Sequence, residues 1–470
     1  MDGTRAPIRL TVALAAFALV ASACGQYAGV HEERFKDGQI PAGQTGVTSP
    51  TGAGSDVPAS SGGTGGTTGE VGTTGTSPGS TTETGGPADA SGSAAGAPGT
   101  TTVSGPGTTT GVTPTTIKLG LHAPLTGAAP LKAESFNRGK DMYWQKGNNG
   151  KPVEIFGRQV EVVFQDDQYN PSHARAVCAQ MAEQQQVAIL VGGGGTDQIQ
   201  ACAAYAATKG IPYVSVGTTE VGLTRLPNYT AVTMSYADQV PLLIEYMKAN
   251  QSTLGWSGDP AKVAAVITNS PNFDDAASAF GQSLPGATMV RPDKNERGTS
   301  MAARLCTGTL KNFEVVFPLT SPTYLLEMAG SSKCNPQYVG VGISMGLNQV
   351  ASVGCQTGGL ANARFFSPAP AFADSNKYDP LFRQAGGADD IEFLLWGLWR
   401  SIHQLLVQAG PNLTREGFIQ AASTATIKRT VFPQAVYSPT NHFGAKEVNV
   451  LRADCARREY VTEAAFKSSF

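Results

Sequence analysis

The sequence predicts an α/β protein of two lobes, each built on a doubly wound parallel sheet. Two observations carry this expectation. Short apolar runs alternate with amphipathic segments from Ile117 to Val216, which is the rhythm of β-α-β units. The same rhythm begins again at Val263 and runs to Val341, so one chain holds two such units.

In the first unit, strands are expected at Ile117–Leu121, Glu161–Phe164, Val187–Val191 and Tyr213–Val216. Helices at Ser135–Lys146, Ser172–Gln185 and Asp197–Lys209 separate them. In the second unit, strands at Val263–Thr268, Ala287–Val290, Val315–Phe317 and Tyr338–Val341 alternate with helices at Asp274–Ser283, Thr299–Lys311 and Pro322–Gly330. Glu392–Ala409 is strongly apolar but carries Glu392, Arg400, His403 and Gln404, so it reads as a core-packing helix rather than a membrane span. Its Trp396 and Trp399 read as core. Ligands of open α/β sheets bind beyond the carboxyl ends of the strands. Two facing lobes can therefore border one cleft.

A different kind of sequence precedes this body. Arg5 and Arg9 stand before an apolar run from Leu10 to Val20, and small residues close it, as in an export signal. The ending Ala21-Ser22-Ala23-Cys24 resembles a bacterial lipobox, where cleavage leaves a lipid-bearing cysteine at the new N-terminus. Ala21-Ser22-Ala23 also fits an ordinary cleavage site; a lone cysteine at that place favours lipidation. From about Gly43 to Pro114 the chain is almost entirely Gly, Thr, Ser, Pro and Ala. No Lys, Arg or aromatic residue lies between Lys36 and Lys118. Such a stretch buries too little apolar surface to offset its backbone entropy and reads as a disordered linker. Its reach is on the order of 45 Å for about 70 residues, which suits a tether. Thr/Pro-rich composition also makes it a candidate for O-glycosylation.

The chain has 470 residues, a charged fraction of 15% and a formal net charge of -2, with no Lys/Arg cluster to track a phosphate backbone. Nucleic acid is excluded as the expected partner.

Two loops carry most of the functional signal. Val191–Gln198 reads VGGGGTDQ and joins a strand to a helix, where N–H groups and the helix dipole favour negative charge. No Lys-Ser/Thr follows the glycines and no G-x-G-x-x-G is completed, so a phosphate role is disfavoured. A carboxylate held by N–H groups and a hydroxyl fits, and so does a plain glycine turn capped by Thr196 or Asp197. The next strand ends in Ser215-Val216-Gly217-Thr218-Thr219-Glu220, a second hydroxyl-bearing end.

Other segments carry a resemblance. Ala123-Pro124-Leu125-Thr126-Gly127, Asp166-Asp167 with Asn170-Pro171 and Ala174, Lys209-Gly210-Ile211-Pro212, and Asp374-Ser375 with Tyr378 follow one another in a familiar order. In order and spacing over roughly 340 residues they resemble type I periplasmic solute-binding proteins of the branched-chain amino acid, amide and aromatic-acid importers. The resemblance implies two lobes joined by a hinge. It puts 115–238 with 367–433 in the N-terminal lobe and 239–366 with 434–470 in the C-terminal lobe, after a signal peptide over 1–23 and a linker over 24–114. It implies an α-carboxylate site at Thr196, Gly217 and Thr219, with Thr126 in the opening loop. It implies second-lobe contacts from Phe273, from Ser321 or Tyr324 (with Thr320 beside them), and from Ser344. Amino-acid binders of the family add an acid after the next strand; Gly340–Met345 has none, which leaves an acid without an amine, an amide or an aromatic carboxylate at least as fitting as an amino-acid-like solute.

With Cys24 lipidated, six cysteines remain. On the family's lobes, Cys178 and Cys202 fall in the first and Cys306, Cys334, Cys355 and Cys455 in the second. Sequential pairing then keeps every bridge inside one lobe and leaves the hinge free. The five histidines have no metal-ligand spacing, and His122 reads as structural. Asp166 and Asp167 read as a strand end that caps the helix from Ser172, and no nucleophile–base pair is legible. The reading is a monomeric, lipid-anchored receptor on the outer face of the cell membrane, with no enzyme activity, cofactor or metal. It would deliver solute to the permease and ATPase of an ABC importer, partners that the resemblance implies. A sensor module for a signalling partner and a cleft hydrolase are the alternatives.

Overall fold

The computed structural model describes residues 109–216, 222–293, 296–308, 310 and 313–470. The expected signal peptide, Cys24, nearly all of the expected linker, Gly217 and Thr219 lie outside the described residues.

The first lobe opens with β1 (Thr116–Ala123), α1 (Ala133–Lys146), β2 (Glu154–Ile155), β3 (Arg158–Asp166), α2 (Pro171–Glu183), β4 (Ile189–Gly192), α3 (Thr196–Thr208), β5 (Tyr213–Ser215) and β6 (Tyr229–Ala231). Its sheet has the order β2-β3-β1-β4-β5-β6, parallel except for the β2–β3 hairpin. The body begins before the composition changes at Thr115. Val112 bridges to Ile117, and Gly111 O accepts from the Lys118 N–H.

The second lobe follows with α4 (Tyr236–Ala249), α5 (Gln251–Leu254), β7 (Val263–Ile267), α6 (Asp274–Ser283), β8 (Thr288–Val290), α7 (Gly298–Cys306), β9 (Val315–Leu319), α8 (Pro322–Ser331), β10 (Gln337–Val341), α9 (Asn348–Gln356) and β11 (Arg364–Ser367). The chain then returns through α10 (Ser375–Tyr378), α11 (Pro380–Gln384), α12 (Asp390–Ala409), α13 (Arg415–Ala422) and the short pair β12 (Thr426–Ile427) and β13 (Ala435–Val436). It ends in the second lobe with β14 (Val448–Asp454) and β15 (Glu459–Lys467), giving the sheet order β15-β14-β11-β10-β9-β7-β8.

Strands β4, β7 and β9 are buried along their whole length, as expected for parallel strands covered on both faces by helices. Trp396 and Trp399 on α12 are fully buried, and the Trp399 Nε1–H donates to Gly139 O on α1 at 3.2 Å. Ser135 and Arg138 of α1 bond Asp389 and Glu392 at the other helix's start. Among the described residues no helix is long and apolar enough to cross a membrane.

Two of the differences from expectation have a plain cause. The helix expected to run to Lys311 stops at Cys306, where the Thr307 N–H turns back to Ala303 O. Helix α4 carries Pro241 in its interior, and that break in the pattern hid it from the sequence reading.

Three crossings join the lobes, and they are tied to one another. The Ala231 N–H donates to His442 O at 2.9 Å, and the Tyr437 hydroxyl to Ala231 O at 2.9 Å. Asn449, fully buried, donates to Ser367 O at 3.3 Å and Pro368 O at 3.0 Å and accepts from the Phe466 N–H.

Disulfides join Cys178 to Cys202, Cys306 to Cys334 and Cys355 to Cys455, each between elements of one lobe. Their sequence separations of 24 and 100 for the first and third imply stabilisations of about 3 and about 5 kcal/mol. Urea unfolding of Cys178→Ala/Cys202→Ala and Cys355→Ala/Cys455→Ala should return losses in that order; equal or negligible losses would contradict it.

Candidate functional site

The carboxyl ends of β1, β3, β4 and β5 form one edge of the first lobe. A buried polar column fixes it. His122 Nδ1 donates to Asp167 Oδ2 at 2.8 Å, and the Tyr213 hydroxyl bonds Nε2 at 2.7 Å. All three side chains are fully buried. Asp166 and Asp167, expected to cap the following helix, do not; the Asn170 side chain takes that role by accepting from the His173 N–H. Asp166 instead gathers the N–H groups of Leu125, Thr126 and Gln168 and the Thr126 hydroxyl at 2.6 Å. Burial works to raise its pKa, but the Thr126 hydroxyl and these N–H groups together hold it lowered.

The four glycines each answer a packing demand. A Cβ on Gly192 would lie 2.3 Å from the Tyr213 hydroxyl, blocking its path past β4 to His122. One on Gly193 would meet Phe136 and His122 O, and one on Gly194 would meet Leu131. Gly195 has φ +78° and is itself the N-cap of α3, with no side-chain cap from Thr196 or Asp197. The turn therefore brings backbone close to β1 and the start of α1, and leaves Thr196 at the head of a 13-residue helix.

The structure places the other predicted residues as follows. Thr126 is exposed and its hydroxyl is bonded to Asp166, while Thr196 is half-buried. Across from them, Phe273 ends a turn after β7 and stacks on Tyr236 with ring centroids 6.4 Å apart. Ser321 is the N-cap of α8, accepting from the Tyr324 N–H at 3.2 Å. Tyr324 is buried; burial raises its pKa, with Glu296, Arg304 and Glu327 as its charged neighbours, and its hydroxyl has no partner among the described residues. Ser344 is half-buried in the turn after β10.

Several residues at this cleft were not legible in the sequence. Tyr236, the first residue of α4, is buried; burial pushes its pKa up to about 12, against the Ile343 N–H that bonds its oxygen. Asn272 Nδ2 donates across the lobes to Asp197 Oδ1. Gly340–Met345 has no acid of its own, but Asp390 reaches the start of α9 and accepts from the Asn348 N–H at 2.6 Å. Burial and the charge of Asp389 raise the Asp390 pKa. Only their position in the first turn of a helix marks Asp197 and Asp390 in the sequence.

Among the described residues, one group with metal-ligand atoms close together is His122, Cys178 and Cys202, within 4.8 Å of one another. Its two sulfurs are bonded to each other, and both nitrogens of the imidazole are engaged.

If Gly192 is kept bare for the Tyr213 hydroxyl, Gly192→Ala should cost about 1–3 kcal/mol. Tyr213→Phe should cost about 1–3 kcal/mol by stripping His122 of a partner. In combination they should cost at least about 0.5 kcal/mol less than their sum, since the shorter ring clears the added methyl. Additive losses in urea unfolding would refute the clash.

The profile of the family described as periplasmic binding protein matches residues 116–458. Solved structures agree in fold. A solute-binding protein of an ABC transporter from R. palustris, in complex with 4-hydroxybenzoate, superposes with a TM-score of 0.62 at 15% identity, covering 75% of this chain and 96% of that one. The branched-chain amino acid transporter substrate-binding protein LivJ from Streptococcus pneumoniae, in complex with isoleucine, gives 0.62 at 16% identity, covering 75% and 100%. A fatty acid ABC transporter substrate-binding protein from Thermomonospora curvata gives 0.60 at 17% identity, covering 77% and 94%. No match was found among curated proteins.

Proposed function

Because the chain belongs to the periplasmic binding protein family, we propose that it captures a small solute between its lobes and presents it to the permease of an ABC importer. One observation carries this reading. The glycine turn and Thr196 at the head of α3 face the Phe273–Asn272 turn of the other lobe, and the two are already in contact through Asp197. A solute carboxylate or amide oxygen fits the N–H groups and the Thr196 hydroxyl. Thr219 and Gly217 are proposed as further partners of that group. Phe273 and Tyr236 offer an aromatic wall to the apolar part of the solute. Solute with different affinity for open and closed lobes would shift their equilibrium, as receptor function requires. Neighbours bound to 4-hydroxybenzoate and isoleucine are consistent with a small carboxylate.

The body is proposed to be held at the outer face of the cell membrane by lipid on Cys24, through the Gly/Thr/Ser/Pro linker. Cys24→Ser expressed in a bacterial host should move the protein from the membrane to the soluble fraction. A wild-type protein already soluble and lacking lipid would overturn the anchor.

A thermal-shift screen of small acids, amides and aromatic acids should return a solute for calorimetry. A hydrogen bond to a charged group contributes about 1.5–3 kcal/mol, so Thr196→Val should weaken binding by roughly 10- to 150-fold. Unchanged affinity would place the solute elsewhere.

A further inference from the structure

Two hydrogen bonds join the lobes, one across the cleft and one beside the crossing at Ser367–Ala371, where Asn348 and Asp390 line a small cavity with Ala369 and Pro370. At one, Asn272 in the turn after β7 donates to Asp197 in the first turn of α3. At the other, the backbone N–H of Asn348 at the start of α9 donates to Asp390 at the start of α12. Helix α12 packs on α1, whereas Asn348 lies just beyond β10. Each bond therefore runs from a second-lobe N–H to a first-lobe carboxylate. Both are made by the protein's own groups, so they contribute to closure whichever solute is bound.

The Asn272 arm is braced from behind. Arg291, just past β8, spreads one guanidinium nitrogen over Thr268 O at 3.3 Å, Ser270 O at 3.1 Å and Asp274 Oδ1 at 2.9 Å. The Asn269 N–H donates to Pro292 O at 3.0 Å, and the Asn272 N–H bonds Ser270 Oγ at 3.4 Å. The turn bearing Asn272 and Phe273 is thus shaped by its own lobe before it meets the other.

We propose that Asp197–Asn272 and Asp390–Asn348 form a two-point latch that draws the lobes together without solute, with Arg291 as the positioning residue of the Asn272 arm. Solute then enters when the latch opens, and apparent affinity falls with the fraction of molecules that are open. The latch would set the rate of solute entry.

The test uses the solute-free full chain with bioorthogonal spin labels at Lys209 and Gln282, exposed residues on α3's end and on α6. Double electron–electron resonance should show one short interlobe distance in the wild type. Asn272→Ala or Asp390→Ala should add a longer population, lowering the closed-to-open ratio about tenfold or more. Arg291→Met removes the nitrogen that holds Thr268 O, Ser270 O and Asp274 Oδ1, and should fall between. The double variant Asn272→Ala/Asp390→Ala should be mostly open. A wild type that is mainly open, or a folded double variant with the wild-type distribution, overturns the latch. Should Asp390→Ala fail to fold by circular dichroism, Asn272→Ala and Arg291→Met decide the question. No solute is needed, so a failed solute screen and a failed latch are read separately.

Discussion

One side chain that is missing governs the first lobe. With nothing on Gly192, the Tyr213 hydroxyl passes β4 and reaches His122, which holds Asp167 with its other nitrogen. The column spans β3, β1 and β5 beneath the cleft edge and continues outward. Tyr213 stacks on Tyr229 with centroids 6.0 Å apart, the Tyr229 hydroxyl meets Ser215 Oγ at 2.7 Å, and its carbonyl accepts from His442 Nδ1 at 2.6 Å. A buried network with each of these links made rigidifies what it joins, because any shift would strand a polar group away from water. The loops after β1, β3 and β4 therefore start from fixed points, and the last link ties them to the third crossing.

That rigidity gives the cleft two unlike walls. The first-lobe wall is backbone and hydroxyl, held by Asp166 and the glycine turn. The second-lobe wall is aromatic and amide, carried by Phe273, Tyr236 and Asn272. Motion between them is confined to three crossings whose hydrogen bonds are mutual, so a rotation at one must be shared by the others.

The β-α-β rhythm was legible because fully buried parallel strands read as unbroken apolar runs. Asp274–Ser283 falls on its expected bounds, and Pro322 starts its helix as expected. Helix α4 was not legible, because Pro241 and Tyr236 interrupt the pattern that marks a helix. The glycines were legible as a turn but not as clearance for Tyr213, which sits in a different strand. Asn272 and Asp197 are 75 residues apart and meet only through the arrangement of whole lobes. No local pattern encodes such a pair.

The order of the chain sets a schedule for its synthesis. The six strands of the first sheet are complete by Ala231, yet the helix that covers α1 begins at Asp390. Tyr143 and Trp144, which pack on Trp396, Trp399 and His403 in the finished protein, have to wait for that helix while the entire second-lobe segment is made. Contacts this far apart in sequence form slowly, and the waiting surface is prone to aggregation. In a nascent chain of this topology that surface stays open until the last fifth of the chain emerges. Truncation anywhere before α12 would leave that surface permanently bare.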